Sequence, residues 1–300
     1  MKKHTLPLFC CIVSLLLAGA CRTVKIEGPA APVVHPKPAL QQAKKSLAPQ
    51  KLSTKDIPPV LGGIIQSDNW TIYKDEQQEE FSGHVSYDNG AYVFKSDYAL
   101  SDRAKSTFSA RGNVFLRQNN PDGSFYEARG DQGSYNYHTQ KGTLVSRSKT
   151  PVKLVYRNEK GQVITATAKT ARFDIGQKIY ILEKDVFIQR LTEQGTQQLS
   201  AQKATFKQLE TYALLEGNAK ITDGQRTLSA DTIIYDGQHD VSYAYGARPL
   251  VEGVSEQGTF AVIADQFQSD AQGNIVHLDG KVQGWLVSPQ INDTKLNAKF

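Results

Sequence analysis

The chain has 300 residues, 39% of them hydrophobic, three cysteines and a formal net charge of +5 at pH 7. That is enough apolar material to bury a core in one or two domains. Lys2 and Lys3 precede the first apolar stretch, and residues 22–62 hold seven Lys or Arg against Glu27 and Asp56, so residues 63–300 carry about −2; a folded part with no basic excess excludes the usual electrostatic basis of nucleic-acid binding.

The first twenty residues read as a secretory signal peptide: a charged start, an apolar stretch from Leu6 to Leu17, then the small residues Ala18-Gly-Ala20 before Cys21. The stretch is too short for a spanning helix. The run ending at Cys21 resembles a bacterial lipobox, in which that cysteine takes the lipid and becomes the mature N-terminus. Ala18 stands where leucine is the better match, and the alternative is ordinary cleavage after Ala20 with a free Cys21. Cys10 and Cys11 leave with the signal, so the exported chain has no disulfide and relies on its own core. Arg22 does not match the aspartate retention signal known in some bacteria, which favours the outer membrane as the site of the anchor.

Residues 21–62 form a tether. It holds seven of the twelve prolines, a composition that cannot bury a core and favours extended polyproline conformations at about 3.1 Å per residue. Its lysines add about 1 kcal/mol of attraction each near an anionic lipid surface. A lipid and a basic segment together anchor better than either alone.

Residues 63–300 form the folded domain, and from Trp70 onward nearly everything in it reads as strand. Ala91-Tyr-Val-Phe-Lys, Pro151-Val-Lys-Leu-Val-Tyr and Lys178-Ile-Tyr-Ile-Leu are short and rich in β-branched and aromatic residues. Turn signals divide them at Asp88-Asn-Gly90, Asn120-Pro-Asp-Gly123, Glu159-Lys-Gly161, Asp223-Gly224 and Asp236-Gly237. The fold class expected is all-β. Helical candidates are confined to the tether at 40–47 and one turn at Ala99–Ala104.

The strands repeat. A Gly-x-Val-like triplet begins at Gly83, Gly112, Thr150, Lys184, Gly217, Arg248 and Gly280, at spacings of 29, 38, 34, 33, 31 and 32 residues. A second series of small residues runs Ser96, Gly130, Ala168, Ala201, Ala230 and Ala264, often with an aromatic five residues on. Two interleaved series with one period of about 33 residues mark a stacked repeat. Alternation places Gly112, Val114 and Leu116 on one face, with Asn113, Phe115 and Arg117 on the other. Val186 with Ile188, and Gly217 with Ala219 and Ile221, continue that small-then-aliphatic face. The change of parity between Ala201 and Ala204, or Ala230 and Ile233, calls for a bulge that bends each strand and keeps both small residues inside.

Candidate chemistry is sparse. The histidines lack metal-ligand spacing, and no nucleophile elbow, phosphate loop or dinucleotide fingerprint occurs. No cofactor and no catalytic group is expected. Asp97, Asp131, Asp231 and Asp265 each follow a small anchor residue, and their reading is local: outward carboxylates that satisfy backbone N–H groups at the bend. Repetition of modest residues favours a surface or a conduit over an enzyme. If the facing aliphatics meet, the interior is a core and the chain a structural or interaction lipoprotein with a closed β-solenoid. If they part, it is a groove for acyl chains. A carbohydrate-active β-helix is a third reading, with Tyr243 and Tyr245 its only hint.

Units such as Leu215-Glu-Gly-Asn-Ala-Lys-Ile221 followed by Leu228-Ser-Ala-Asp-Thr-Ile-Ile-Tyr-Asp236 resemble the OstA-like domain of lipopolysaccharide export proteins, the LptA/LptC superfamily, over about residues 80–285. The resemblance implies an OstA-like β-jellyroll, an open V-shaped trough of stacked antiparallel strands. It implies acyl chains of lipopolysaccharide or a lipid A-like glycolipid held inside, and partners that are other OstA-like export proteins joined by edge-strand pairing in the periplasm. It implies groove-lining roles for Val114, Leu116, Val186, Ile188, Ala219, Ile221 and Leu228, with Phe173, Phe206 and Tyr235 as larger wall residues. A lipidated Cys21 and long tether depart from that pattern, in which a soluble bridge protein has no anchor and the membrane-bound member has an N-terminal helix.

Overall fold

The structure, a computed structural model, describes residues 63–192, 195–239, 241–255, 258–270 and 276–287. The expected signal, Cys21, the tether and its helical candidate at 40–47 lie outside the described residues.

Among the described residues the chain is strand and turn, with twenty strands joined by antiparallel pairing into one sheet. β1 (Ile64–Gln66) and β2 (Asn69–Tyr73) both lie along β3 (Gln78–Asp88). β4 (Tyr92–Asp102), β5 (Thr107–Asn119) and β6 (Phe125–Asn136) follow as a meander. The next rung is split, β7 (Lys141–Val145) pairing with one end of β6 and β8 (Val152–Arg157) with the other. β9 (Val163–Ala168) and β10 (Thr170–Asp174) repeat the split and pair with the two ends of β11 (Ile179–Thr192). Continuous rungs resume in β12 (Gly195–Lys207), β13 (Tyr212–Thr222) and β14 (Arg226–Asp236). β15 (Val241–Tyr245) with β16 (Leu250–Ser255), β17 (Gly258–Ile263) with β18 (Gln266–Asp270), and β19 (Val276–Asp279) with β20 (Gln283–Val287) finish the array as split rungs.

Each continuous rung bends once, and the bend is the Gly-x-Val triplet. Between Ser82↔Tyr98 and Val85↔Ser96, Gly83 and His84 on β3 face Asp97 alone on β4. Gly112 and Asn113 face Asp131, Lys184 and Asp185 face Gln202, and Gly217 and Asn218 face Asp231 in the same way. Both residues of each bulge lie in the left-handed region, for example φ +73° at Gly112 and +48° at Asn113. Glycine enters that region freely and Asn or Asp more readily than other side chains, which is why the triplet takes its form. Two residues against one shifts parity, so Ala201 and Ala204 both point inward although three apart, as the sequence requires. The Arg248 rung bends two residues early, its left-handed run starting at Gly246 and continuing through Ala247 and Arg248. The Thr150 rung has no left-handed pair; the chain detours there from Ser146 to Thr150.

The bulges align into a corner that divides the sheet into two walls. One wall contains β7, β10, β15 and β18 with the matching halves of the continuous strands; the other contains β8, β9, β16 and β17. Hairpin turns alternate between the two free edges. At Asp88, Asp223 and Asp236 the side-chain oxygen accepts backbone N–H groups inside the turn, as from Gly90, Arg226 and Gln238 at 2.8, 2.6 and 3.0 Å. The helical turn expected at Ala99–Ala104 is instead the end of β4, because Ala99 pairs with both Phe81 and Ala110; the turn follows at Arg103–Ser106. No helix or second layer covers either wall among the described residues, so the apolar faces cover one another. Burying each large aliphatic there contributes roughly 1.5–3 kcal/mol.

Candidate functional site: the interior of the folded sheet

The interior is built from cross-strand rows. On the first wall the row next to the corner runs Ala110, Gly133, Leu144, Ala171, Leu182, Ala204, Leu215, Ile233 and Ala244, successive members being register partners. The row nearer the free edge runs Phe108, Tyr135, Gly142, Phe173, Tyr180, Phe206, Ala213, Tyr235 and Ser242. Small residues interrupt the rings where one ring fills the space over its neighbour: Phe173 lies where a Cβ on Gly142 would stand. Tyr135 stacks on Phe173 across that gap, with centroids 6.3 Å apart.

The second wall is aliphatic. Val114, Val152, Ala168, Val186, Ala201, Ala219 and Ala230 lie next to the corner and are buried. Outside them run Leu116, Ala128, Leu154, Ala166, Ile188, Leu199, Ile221, Leu228, Val251 and Val262. A third row, nearest the mouth, holds Tyr126, Tyr156, Ile164, Arg190 and Gln197. Tyr126 and Tyr156 stack at 4.6 Å. Burial pushes the Tyr135 and Tyr156 phenols up, so both stay protonated and neutral at ordinary pH.

The walls touch. Phe94 of the aliphatic wall meets Phe108 of the aromatic wall edge to face, 5.1 Å between centroids. A Cβ on Gly133 would stand 3.6 Å from Val114 Cγ1 across the corner. The fold is open in its hydrogen bonding, since no strand pairs across the free edges among the described residues, yet its faces are in contact. A small cavity of about 10 Å³ remains between Ile164, Ile188, Arg190, Gln197, Gln198 and Leu199.

Every lining residue expected from the sequence is on an inward row. Val114, Val186, Ile188, Ala219, Ile221, Phe206 and Tyr235 are buried; Phe173 is half-buried and Leu228 packs against the core. Leu116 differs: its row is inward but it is 41% exposed, so the interior is accessible there. Arg190 and Gln197 were not foreseen, although the alternation Val186, Ile188, Arg190 already aims that guanidinium inward. The recurrent aspartates are corner fittings. Asp131 accepts the backbone N–H groups of Ser148 and Arg147, both at 2.7 Å, and these hold its carboxyl below the usual range. Asp97 accepts Asn113 Nδ2–H at 2.9 Å. Among the described residues no cluster of His, Cys, Asp or Glu could hold a metal ion, and no helix is long and apolar enough to cross a membrane.

A bent antiparallel sheet with a continuous apolar interior and unsealed mouth defines an all-β jellyroll trough. Residues 185–241, from the bulge of β11 to the start of β15, match the family described as LptA/(LptD N-terminal domain) LPS transport protein. That segment lies inside residues 80–285, and the OstA-like resemblance holds there. Among solved structures, LptH of Pseudomonas aeruginosa, the LptA-homologous periplasmic component of its lipopolysaccharide transport device, aligns at 15% identity with a TM-score of 0.32. The alignment covers 39% of this chain and 79% of that one. No curated protein matches.

Proposed function

We propose that this chain takes part in lipopolysaccharide transport, shielding the acyl chains of lipopolysaccharide or a related glycolipid inside its trough between the two membranes. The observation that carries the reading is the largely apolar inward surface that runs from rung to rung along both walls, in a chain whose residues 185–241 match a family of that description. The work is burial. About a dozen methylenes at ~0.8 kcal/mol each oppose passage of one acyl chain through water by roughly 10 kcal/mol, and a continuous apolar trough removes that barrier. No step needs bond chemistry, and direction comes from an energised transporter elsewhere.

Cys21 then carries the lipid, residues 21–62 span from membrane to domain, and the domain works in the periplasm, with the outer membrane favoured as anchor. Among the described residues both ends of the array present strand edges with no partner and exposed apolar side chains, Trp70 and Ile72 on β2 and Trp285 and Val287 on β20. Such edges accept another strand, so other OstA-like proteins pair there.

The contact between the walls favours a second reading, a closed lipoprotein scaffold with a permanently filled interior. Native mass spectrometry of the full chain purified gently from its own membranes, followed by extraction of bound lipid, separates the two. A bound multi-acyl glycolipid supports the conduit; an empty protein that also refuses added lipopolysaccharide leaves the scaffold.

A further inference from the structure

The row of the aliphatic wall nearest the mouth contains a polar pair that the apolar interior does not need. Arg190 of β11 and Gln197 of β12 are direct cross-strand partners, and Ile164 of β9 flanks Arg190 on the other side. Both are more than nine-tenths enclosed, Arg190 7% and Gln197 8% exposed. Both line the small cavity with Ile188 and Leu199. Gln197 Oε1 is buried there with no hydrogen-bond partner. A buried amide acceptor without a partner is uncommon and costly, and the cavity beside it, about the size of one water, marks where a larger polar group reaches it once the walls part.

We propose that Arg190 and Gln197 form a headgroup subsite for a phosphorylated, acylated sugar, the guanidinium donating to phosphate oxygens and the Gln197 side-chain carbonyl accepting a hydroxyl or amide N–H of the sugar. The proposal rests on the trough reading and deepens it. Guanidinium is suited to the task because its planar fork presents paired donors to a tetrahedral oxyanion and stays charged throughout the biological pH range. Position fits as well. Arg190 lies two residues from the end of β11, near the free edge, whereas Ile188 and Val186 lead from it toward the corner. A headgroup at Arg190 would rest at the mouth while its acyl chains run inward over Ile188, Leu199 and Ile221.

The test is displacement of a fluorescent acyl probe from the full chain by a diphosphorylated acyl-disaccharide, and by the same lipid with its phosphates removed. The wild type should prefer the phosphorylated form by roughly ten- to a hundredfold, the value of one or two charge-assisted hydrogen bonds. Arg190→Met should bind both forms at the dephosphorylated level. Gln197→Glu keeps the size of the side chain and sets a carboxylate beside Arg190, so it should lose the preference even if Arg190→Met fails to fold. A wild type that takes up both lipids equally, or a Gln197→Glu variant that keeps the preference, overturns the subsite and leaves the trough intact. A wild type that takes up neither lipid overturns the trough reading itself.

Discussion

Leu144 on one wall occupies the place where a side chain on Gly130 of the other would begin: its Cγ lies 2.8 Å from the position a Cβ would take there. Gly130 is absent from the left-handed positions, so the glycine is required by the approach of the walls and not by its own backbone. Gly130→Ala should therefore overpack the corner and cost about 1–3 kcal/mol, and Leu144→Ala should cost about 2–5 kcal/mol through the cavity it leaves. In the double variant the new methyl enters the vacated space. Urea unfolding should give a combined loss smaller than the sum by at least about 0.5 kcal/mol. Strict additivity would mean the walls do not meet there.

The bulge glycines differ from the turn glycines. At Gly112 the backbone is left-handed and the side chain of Asp97 fills the space a Cβ would need; at Gly90 φ is +82° with nothing nearby. Gly90→Ala should cost about 1 kcal/mol, the left-handed penalty alone. Gly112→Ala should cost clearly more, because Asp97 must also move. Equal midpoints in thermal unfolding would remove the corner from the account of the fold.

Asp131 makes stability depend on acid. Its carboxyl is held low by the backbone N–H groups of Ser148 and then Arg147, so the folded state favours the ionised form more than the unfolded chain does. The contribution is present above the ordinary carboxylate value and is lost as pH falls below about 4 toward the folded pKa. Asp131→Asn should lower the melting temperature at pH 7, and the gap from the wild type should narrow progressively as pH falls below the ordinary carboxylate value. A gap that persists unchanged in acid would show that the side chain acts by shape and not by charge.

Lipid uptake and folding can be separated on the inward rows. Val186 is 2% exposed, so Val186→Asp reads folding. Leu116 shares the inward face but is 41% exposed, and Leu116→Asp should leave the melting temperature within a few degrees. An acyl chain laid over that carboxylate would desolvate it, so uptake of added lipopolysaccharide should drop by more than about tenfold. Leu209→Asp, on an exposed outer turn, serves as the silent control. Undiminished uptake by a folded Leu116→Asp protein would place the lipid elsewhere.

Much of this was legible in the sequence because the repeat writes the same physics several times. Period two gave the inward faces of Val114, Val186 and Ala219, and the small-residue series gave the inner corner rows. The parity change between Ala201 and Ala204 located the bend. What escaped reading depended on single rungs. Lys184 takes a left-handed backbone that its side chain type does not advertise, and the Thr150 rung replaces its bulge by a detour held by Asp131. Ala99 to Ala104 carries helix-forming residues, but pairing on both sides of β4 overrides that local preference. Whether the walls meet was not readable, since rows of small residues serve tight packing and an empty groove equally well.

Every hairpin of two continuous strands lengthens both walls at once, because each such strand crosses the corner and belongs to both. Duplicating one 33-residue unit would insert two rungs, about 10 Å of trough at the usual strand spacing, without altering the cross-section or disturbing the register of any other pair. Length is thus a modular property of the gene, adjustable in whole steps, while the chemistry of the interior can vary rung by rung.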